Sequence, residues 1–250
     1  MTRIIINGYN GKMGQVIDKC AKNRNDCKVV AGVDLVEDRD APVPIFSNIF
    51  DVDYDADVII DFSNPCALND LLDFAKSKNL PIVICTTGYS KEQIEKIKKY
   101  SNYVPIFYSG NMSLGINLLI ELSKKAESVF GESFDIEIIE KHHNLKIDAP
   151  SGTALMIADE LSSCRETNMK YVYDRHSYRR ARRPEEIGIH SVRGGTIVGE
   201  HEVIFAGHDE VFTISHSAQS KEIFAVGAIN AAVYLKGKEP GIYNMSDMLR

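Results

Sequence analysis

Two adjacent histidines and a nearby lysine lie in the stretch of this sequence that is richest in groups able to transfer protons. The run Glu-Lys-His-His-Asn-Leu-Lys-Ile-Asp-Ala-Pro-Ser-Gly-Thr covers residues 140–153 and includes His142, His143 and Lys146. A strand-like alternation at 135–140 precedes these side chains, so we expect a strand to deliver them to a loop. Imidazole and ammonium groups placed in this way can supply protons to a reacting molecule.

The end of the same run has the pattern of a helix start. An apolar helical pattern begins at Ala154, directly after Ser151, Gly152 and Thr153. The first turn of a helix has unpaired backbone N–H groups and a partial positive charge, so it attracts anions. The hydroxyls of Ser151 and Thr153 add donors, and a glycine lets a ligand come close to the backbone. The run therefore predicts a site that binds a carboxylate and supplies protons.

A glycine-rich turn lies near the start of the chain. Gly8, Gly11 and Gly14 follow a predicted strand at 2–7 and precede a helix predicted at about 15–22. Glycines in this setting permit a tight turn and the close approach of a pyrophosphate, which the helix start stabilises. The standard fingerprint is G-x-G-x-x-G, and here the first spacing is one residue longer. A tight turn without a ligand is the alternative interpretation.

An acidic residue follows the second predicted strand, which covers residues 28–33. Asp34 would accept hydrogen bonds from an adenosine ribose, which favours NADH. Leu35 offers no positive charge to a 2′-phosphate, whereas Arg39 could approach one if its loop folds back. We therefore expect NADH to be used and NADPH to be tolerated.

Strands and helices alternate through the first part of the sequence, which indicates a mostly parallel, doubly wound sheet. Further strands are predicted at 57–62, 81–85 and 104–108, with helices at 63–78 and 90–100. The turns at 85–88 and 109–112 are rich in small and hydrogen-bonding residues. Ligands bind at the carboxyl ends of strands in such sheets, so these turns are candidates for the same crevice. Ordinary strand-to-helix turns are the alternative.

The pattern changes after residue 113. A helix is predicted at about 114–130, followed by strands at 135–141, 188–193, 199–206 and 210–216. Their short connections near the end suggest antiparallel pairing. A final helix runs from Ser220 to about Leu235, with one apolar face formed by Ile223, Val226, Ile229 and Val233. We expect an α/β domain of residues 1–113 plus 220–250 and an inserted α+β domain of residues 114–219.

Composition and charge argue against several classes of protein. Lys and Arg number 29 against 35 Asp and Glu, and the net charge of −6 argues against a general nucleic-acid surface. No apolar run approaches the roughly 18 to 20 residues of a membrane span, and the first residues lack a signal-peptide pattern. The 5 cysteines include no C-x-x-C pair, so neither disulfides nor a structural metal site is indicated. We expect a reduced, cytoplasmic protein.

A basic run at 175–183 lacks apolar periodicity. It contains Arg175, His176, Arg179, Arg180, Arg182 and Arg183. We expect a solvated loop, with the border of an anionic substrate or of a neighbouring subunit as alternatives. The later histidines lack metal-ligand spacing and are interpreted as structural; they are His190, His201, His208 and His216.

Together these motifs resemble those of the 4-hydroxy-tetrahydrodipicolinate reductase family, long called dihydrodipicolinate reductases, of the diaminopimelate route to lysine. The turn that ends at Gly14 looks like the family's opening motif, and residues 140–153 closely match its signature. Segments 195–201 and 212–225 resemble two further family segments, so the resemblance covers nearly the whole chain in order. It implies a Rossmann-like nucleotide-binding domain and an inserted α+β domain for substrate binding and oligomerisation.

The resemblance also implies roles for individual residues. His142 would be the proton donor and acceptor, Lys146 a further proton donor, and His143 with Gly152 and Thr153 would hold the substrate. The residues that would line the nicotinamide cofactor are Gly8, Tyr9, Asn10, Gly11, Lys12, Met13, Asp34, Cys85, Thr86, Thr87, Ser109, Gly110, Asn111 and Met112. The implied activity is the reduction of a cyclic imine-type dicarboxylate by NADH or NADPH, in a homotetramer.

The chain departs from the family pattern at two places. The family usually has a basic residue after its acidic ribose-binding residue, and here Leu35 stands there, which favours NADH. Asn144 and Leu145 stand where the family often has basic or histidine residues, which argues against a larger histidine cluster. Two rival functions remain. An aspartate-type dehydrogenase should lack the 140–153 run, and a nucleotide-sensing module without turnover would not need His142 and Lys146.

Overall fold

A computed structural model of the chain describes residues 1–36 and 40–249. The chain forms two compact units, of which the first contains Met1–Ser113 with Glu222–Arg250 and the second contains Leu114–Lys221. The sequence placed the two divisions after residues 113 and 219. Among the residues that the structure describes, no helix is both long and apolar enough to cross a membrane.

The first unit begins with alternating strands and helices. They are β1 (Thr2–Asn7), α1 (Lys12–Lys22), β2 (Cys27–Val33), β3 (Ile45–Phe46), β4 (Val58–Asp61), α2 (Leu68–Lys78), β5 (Ile82–Ile84), α3 (Lys91–Tyr100) and β6 (Pro105–Tyr108). The second unit consists of α4 (Leu114–Phe130), β7 (Asp135–His142), α5 (Gly152–Ser163), β8 (Lys170–Val172), β9 (Glu186–Arg193), β10 (Gly199–Ala206) and β11 (Val211–Ala218). The chain returns to the first unit with α6 (Glu222–Leu235), β12 (Gly241–Tyr243) and α7 (Met245–Leu249).

The sheet of the first unit is parallel throughout. Its seven strands lie in the order β12-β6-β5-β4-β1-β2-β3, and every pairing is parallel. The central strands are continuous apolar runs such as Ile4–Ile6 and Val58–Ile60, and these residues are fully buried. Strands of this kind need helices on both faces of the sheet. The predicted doubly wound α/β fold is therefore confirmed.

The strand order also identifies where this sheet can hold a ligand. From β1 the chain moves outward through β2 and β3, and it then returns to the other side of β1 to form β4, β5 and β6. The connection after β1 therefore runs toward one edge of the sheet, and the connection after the neighbouring, parallel strand β4 runs toward the other edge. Ligands of open α/β proteins bind in the crevice at such a switch point. The glycine turn predicted from the sequence follows β1 directly.

The sheet of the second unit has five strands in the order β11-β10-β7-β9-β8. Antiparallel pairing, as predicted, is found for β10 with β11, and β10 also pairs antiparallel with β7. The prediction is wrong for β9, which pairs in parallel with both β7 and β8. The chain between β7 and β9 passes through α5, and a long crossover of this kind brings a strand back in the same direction. One face of the sheet packs against a core that includes Ile157 of α5 and Ile120 of α4.

The buried side of α6 differs from the predicted one. Of the four residues predicted to form its apolar face, only Ile229 belongs to the core, and Val226 is 38% exposed. The buried residues are mostly small, including Ala225, Gly227 and Ala228. A Cβ at Gly227 would stand 1.7 Å from the carbonyl oxygen of Met112, so the helix needs its smallest residues where it approaches another backbone. Hydrophobic periodicity favours large residues and missed this face.

Candidate functional site

The turn after β1 is shaped by glycines that have no room for a side chain. Gly8 has φ +85°, and a Cβ there would stand 2.5 Å from the carbonyl oxygen of Phe62. A Cβ at Gly14 would stand 2.3 Å from the carbonyl oxygen of Gly8. Gly11 is the N-cap of α1, and no side chain caps the helix start. The first N–H groups of α1 therefore face a bare backbone turn, which suits a phosphate group.

Asp34 lies beside this turn. Its carboxylate accepts hydrogen bonds from the backbone N–H groups of Asn10 and Leu35, both at 2.8 Å. The side-chain amide of Asn10 donates to the carbonyl oxygen of Val36 at 2.8 Å, which ties the two loops together. Leu35 is 91% exposed. Arg39, a candidate for contact with a 2′-phosphate, lies outside the described residues.

The two other predicted turns follow β5 and β6, whose carboxyl ends lie at the same edge of the sheet. Cys85 and Met112 are buried. Thr87 and Gly110 are exposed. The Thr86 hydroxyl accepts a hydrogen bond from the backbone N–H of Ser63 at 2.9 Å. The remaining two residues of the second turn are linked, since the Ser109 hydroxyl donates to the carbonyl oxygen of Asn111 at 2.9 Å.

A buried carboxylate at this sheet edge was missed by the sequence analysis. Asp61 ends β4, and its side chain accepts hydrogen bonds from the Asn7 amide at 2.8 Å and the Ser63 hydroxyl at 2.5 Å. The Tyr89 hydroxyl donates to the other oxygen at 3.3 Å. Burial raises the pKa of the Asp61 carboxyl, and these hydrogen bonds oppose the rise. An aspartate that ends a buried apolar strand was the signal available, and the side chain now ties β1, β4 and the segment after β5 together.

The second unit contains a fully buried carboxylate next to a predicted catalytic histidine. Glu140 is 0% exposed, and Arg193 donates one hydrogen bond to each of its oxygens, both at 2.7 Å. Nδ1 of His142 lies 2.6 Å from Oε2, and the backbone N–H of Ser151 donates to Oε1 at 3.1 Å. Burial acts to raise the pKa of Glu140, but the hydrogen bonds, chiefly from Arg193, outweigh it and lower the pKa to about 2.

A second imidazole lies close to His142. His201 stands opposite Glu140 in the pairing of β10 with β7, and its ring centroid is 5.3 Å from that of His142. Its Nε2 is 3.1 Å from the Ser151 hydroxyl, which also accepts a hydrogen bond from the backbone N–H of Ala154 at 3.1 Å. Burial, together with the nearby His142, lowers the pKa of His201 to about 4, so this imidazole is neutral at physiological pH.

The start of α5 is open, as a site for a carboxylate requires. Ser151 is its N-cap, and a Cβ added to Gly152 would meet nothing within 4 Å. Lys146 forms an ion pair with Asp148 at 2.8 Å. The buried Nδ1 of His143 has no hydrogen-bond partner within residues 1–36 and 40–249. Of the predicted proton donors, His142 is linked to the start of α5, because Glu140 contacts both His142 and the backbone N–H of Ser151. Lys146 instead forms its ion pair with Asp148.

Three residues of this cluster were not singled out from the sequence. Glu140 alternates with Ile136 and Ile138 on the inward side of β7, and an acid at such a position was a usable signal. His201 was interpreted as structural, although it contacts Ser151 and lies next to His142. Arg193 gave no signal, because only the parallel pairing of β7 with β9 brings it to Glu140. Within the described chain, no group of three or more His, Cys, Asp and Glu residues could hold a metal ion.

The basic run at 175–183 is more ordered than a solvated loop. Arg175 contacts Glu137 at 2.6 Å and Glu186 at 2.9 Å, and Arg180 contacts Glu186 at 2.6 Å. Arg182 contacts Glu137 at 3.0 Å. Burial acts to raise the pKa of Glu186, but Arg175 and Arg180 outweigh it and lower the pKa to about 2. The expectation of solvation is wrong for Arg175 and Arg182, which are only partly exposed because carboxylates on β7 and β9 are within their reach, whereas Arg180 is exposed as expected.

The fold and the two sites together define a class of protein. It combines a nucleotide-binding type of parallel sheet, with a glycine turn at its switch point, and an inserted unit that carries a carboxylate–imidazole cluster beside an open helix start. Family models described as "Dihydrodipicolinate reductase, N-terminus" and "Dihydrodipicolinate reductase, C-terminus" match residues 2–112 and 115–249. The chain therefore belongs to the dihydrodipicolinate reductase family, and the resemblance identified from the sequence is confirmed.

Individual relatives agree over the full length. The chain is 53% identical to the 4-hydroxy-tetrahydrodipicolinate reductase of Caldanaerobacter subterraneus subsp. tengcongensis, covering 100% of this chain and 99% of the relative. It is 48% identical to the same enzyme of Clostridium novyi, with the same coverage. A solved dipicolinate-bound dihydrodipicolinate reductase from Paenisporosarcina sp. TG-14 has a TM-score of 0.80 and 26% identity, covering 98% of this chain and 97% of that chain.

A rival suggested by the sequence shares only the fold. The aspartate dehydrogenase from Thermotoga maritima has a TM-score of 0.54 at 13% identity, covering 95% of this chain and 98% of that chain. A similarity at that level of identity shows a common architecture and carries no argument about substrate.

Proposed function

We propose that the protein reduces 4-hydroxy-tetrahydrodipicolinate to tetrahydrodipicolinate with a nicotinamide cofactor, in the diaminopimelate route to lysine. The names of the full-length relatives support this activity. The observation that carries the proposal is the cluster of Glu140, His142 and Ser151 at the open start of α5, inside the family's signature run.

The second unit would bind the dicarboxylate substrate. The first N–H groups of α5, the bare Gly152 and the Thr153 hydroxyl form the kind of surface that binds a carboxylate. His143 would contact the other end of the substrate. The relative solved with dipicolinate, a dicarboxylate, supports a ligand of this class. These assignments rest on the open helix start and on the family motif.

His142 and Lys146 are the proposed proton sources. The 4-hydroxyl group of the substrate leaves as water with a hydrogen of the adjacent ring carbon, which gives a conjugated ring. When bound, the nicotinamide would supply a hydride to that ring, and one proton would quench the negative charge that develops. An N–H bond of His142 or of Lys146 breaks, and the proton is transferred to the ring. General acid catalysis of this kind typically contributes ~10²–10⁴-fold. The hydrogen bond between His142 and Glu140 supports His142 as one of the two.

The first unit would bind the cofactor through its backbone. The lack of space for a Cβ at Gly8 and Gly14 and the uncapped start of α1 fit a pyrophosphate at this turn. Asp34 would contact the adenosine ribose. The predicted lining residues 8–13, 85–87 and 109–112 lie at the carboxyl ends of β1, β5 and β6. NADH would be used at least as well as NADPH.

We also propose that the protein is a cytoplasmic homotetramer assembled through the second unit. The face of the five-stranded sheet that points away from α4 and α5 exposes apolar residues, including Val192 on β9 and Val211 on β11. The tetramer itself rests on the family resemblance. Light scattering of the purified protein tests the tetramer, and a monomer at micromolar concentration would contradict it.

The activity itself is tested by following NADH absorbance with the freshly made product of the preceding pathway enzyme. We expect absorbance to fall with this substrate and to remain constant with oxaloacetate plus ammonia, the substrates that an aspartate-type dehydrogenase would use. Turnover with the second mixture alone would contradict the proposal. Cofactor binding without turnover of either mixture would instead favour the sensing module.

A further inference from the structure

Every group that contacts the Glu140 carboxylate is a hydrogen-bond donor or is able to be one. Arg193 donates to both oxygens, and the backbone N–H of Ser151 donates to Oε1. Neither of these partners can accept a hydrogen bond. Glu140 is therefore an ionised acceptor at both oxygens, so the Ser191 hydroxyl, which also forms a hydrogen bond with it, is a donor here. The contact with Nδ1 of His142 at 2.6 Å must likewise be donated to Glu140.

This arrangement decides which nitrogen of His142 carries hydrogen in the neutral ring. A neutral imidazole has one N–H and one lone pair. Because Nδ1 must donate to Glu140, the lone pair falls on Nε2. No residue of the described chain forms a hydrogen bond with Nε2 of His142. Nε2, whose lone pair has no partner in the described chain, therefore lies on the side of the ring away from Glu140.

The residue beside Nε2 is a glycine. A Cβ added to Gly199, the first residue of β10, would stand 3.1 Å from Nε2 of His142. That distance is tighter than an ordinary van der Waals contact. Any side chain at this position would crowd the free nitrogen, so Gly199 keeps space open next to it.

We propose that Glu140, anchored by Arg193, is a positioning residue that fixes His142 as the Nδ1–H tautomer and makes Nε2 the atom that exchanges a proton with the substrate. The role of Nε2 in turnover rests on the proposed function, whereas the tautomer does not. In the proton step, the Nε2–H bond of the imidazolium breaks, the proton is transferred to the reduced ring, and His142 returns to its neutral Nδ1–H form. The Glu140 carboxylate accepts the Nδ1–H hydrogen bond before and after the transfer.

Glu140→Gln tests the inference because it replaces one acceptor by a donor. The position of Oε1 faces two donors that cannot accept, the Ser151 N–H and an Arg193 N–H, whereas the position of Oε2 faces one Arg193 N–H and Nδ1 of His142, which can accept. The amide NH2 should therefore take the position facing His142. Nδ1 would then become an acceptor, and the ring proton would move to Nε2. We expect ¹⁵N NMR of histidine-labelled protein, at a mildly alkaline pH where imidazoles are neutral, to show this reversal. The spectrum of His142→Gln assigns the signals.

Glu127→Gln is the matched control. Glu127 is also buried and also forms an ion pair with an arginine, since Arg165 donates to its two oxygens at 2.6 and 3.2 Å, but no imidazole contacts it. Both variants should lower the melting temperature. Only Glu140→Gln should lower kcat, by roughly 10²-fold, while KM for NADH stays unchanged in both.

Gly199→Ala provides a second variant if Glu140→Gln folds poorly. It should lower kcat by crowding Nε2 and leave the Nδ1–H tautomer unchanged. The inference is overturned if wild-type His142 carries its proton on Nε2, or if Glu140→Gln reverses the tautomer without lowering kcat. Absence of turnover in the wild-type protein would contradict the proposed function and not the tautomer, because NMR reads the tautomer without substrate.

Discussion

Glu140 and His201 both lie beside His142, and their surroundings shift their pKa values so that Glu140 is ionised and His201 is neutral. Glu140 is held as a carboxylate by Arg193, and His201 is held neutral by burial and by the nearby His142. His142 lies between them, bonded to the acid through Nδ1 and 5.3 Å from the other ring. Groups whose environments push their pKa values apart are typical of acid–base sites.

Asp34 leads to a prediction about cofactor choice. Its carboxylate would repel a 2′-phosphate, and the neighbouring Leu35 offers no positive charge. We expect kcat/KM with NADH to equal or exceed that with NADPH in steady-state assays under identical conditions. A preference for NADPH above about tenfold, some 1.4 kcal/mol, would contradict the expectation and show that a more distant residue neutralises the phosphate.

At the scale of elements, Gly227→Ala tests the packing of α6. The added Cβ would stand 1.7 Å from the carbonyl oxygen of Met112, so the helix has to shift. Overpacking of this kind typically costs about 1–3 kcal/mol, and we expect urea unfolding to report a loss in that range or above. Val226→Ala, on the exposed side of the same helix, should cost less. Equal stability of Gly227→Ala and wild type would contradict the packing described for α6.

Elements with strong local patterns could be predicted from the sequence, and those defined by distant partners could not. The central strands of the first sheet are apolar and bounded by turn residues, so their order along the chain indicated a parallel sheet. β3, β8 and β12 have only two or three residues each and no periodicity, and they exist because a neighbouring strand pairs with them.

The residues of the candidate site likewise include some that the sequence reveals and some that only the fold brings together. His142, His143 and Lys146 stand out because they are close together in sequence. His201 and Arg193 reach Glu140 only through the pairing of β10 and β9 with β7, and a single sequence does not reveal that register. The ion pairs of Arg175 and Arg182 depend on the same sheet and were missed for the same reason.

For the whole molecule, the shifted pKa values predict a loss of stability in acid. The pKa of His201 is lowered to about 4, chiefly by burial, so the unfolded chain binds a proton below about pH 6.5 that the folded chain binds only near pH 4. The free energy of unfolding should therefore fall as the pH drops from about 6.5 to 4. His216, whose pKa is also lowered by burial, acts in the same direction.

Glu140 and Glu186 extend this loss to lower pH. Their folded pKa values are about 2, because ion pairs with arginine outweigh burial, so their contribution is complete above about pH 4.5 and is lost as the pH falls toward 2. Urea unfolding at a series of pH values measures both phases. His201→Gln should flatten the slope between pH 6.5 and 4. An unchanged slope in that variant would contradict the assignment to His201.

The central claim is that His142 and Lys146 supply the proton of the proposed reduction. The most direct measurement is kcat, beside NADH affinity by calorimetry, for His142→Gln and Lys146→Ala. We expect each substitution to lower kcat by roughly 10²-fold or more and to leave NADH affinity nearly unchanged, with Lys146→Ala also raising KM for the dicarboxylate. Normal turnover in both variants would contradict the claim and leave the 140–153 run with a structural role only.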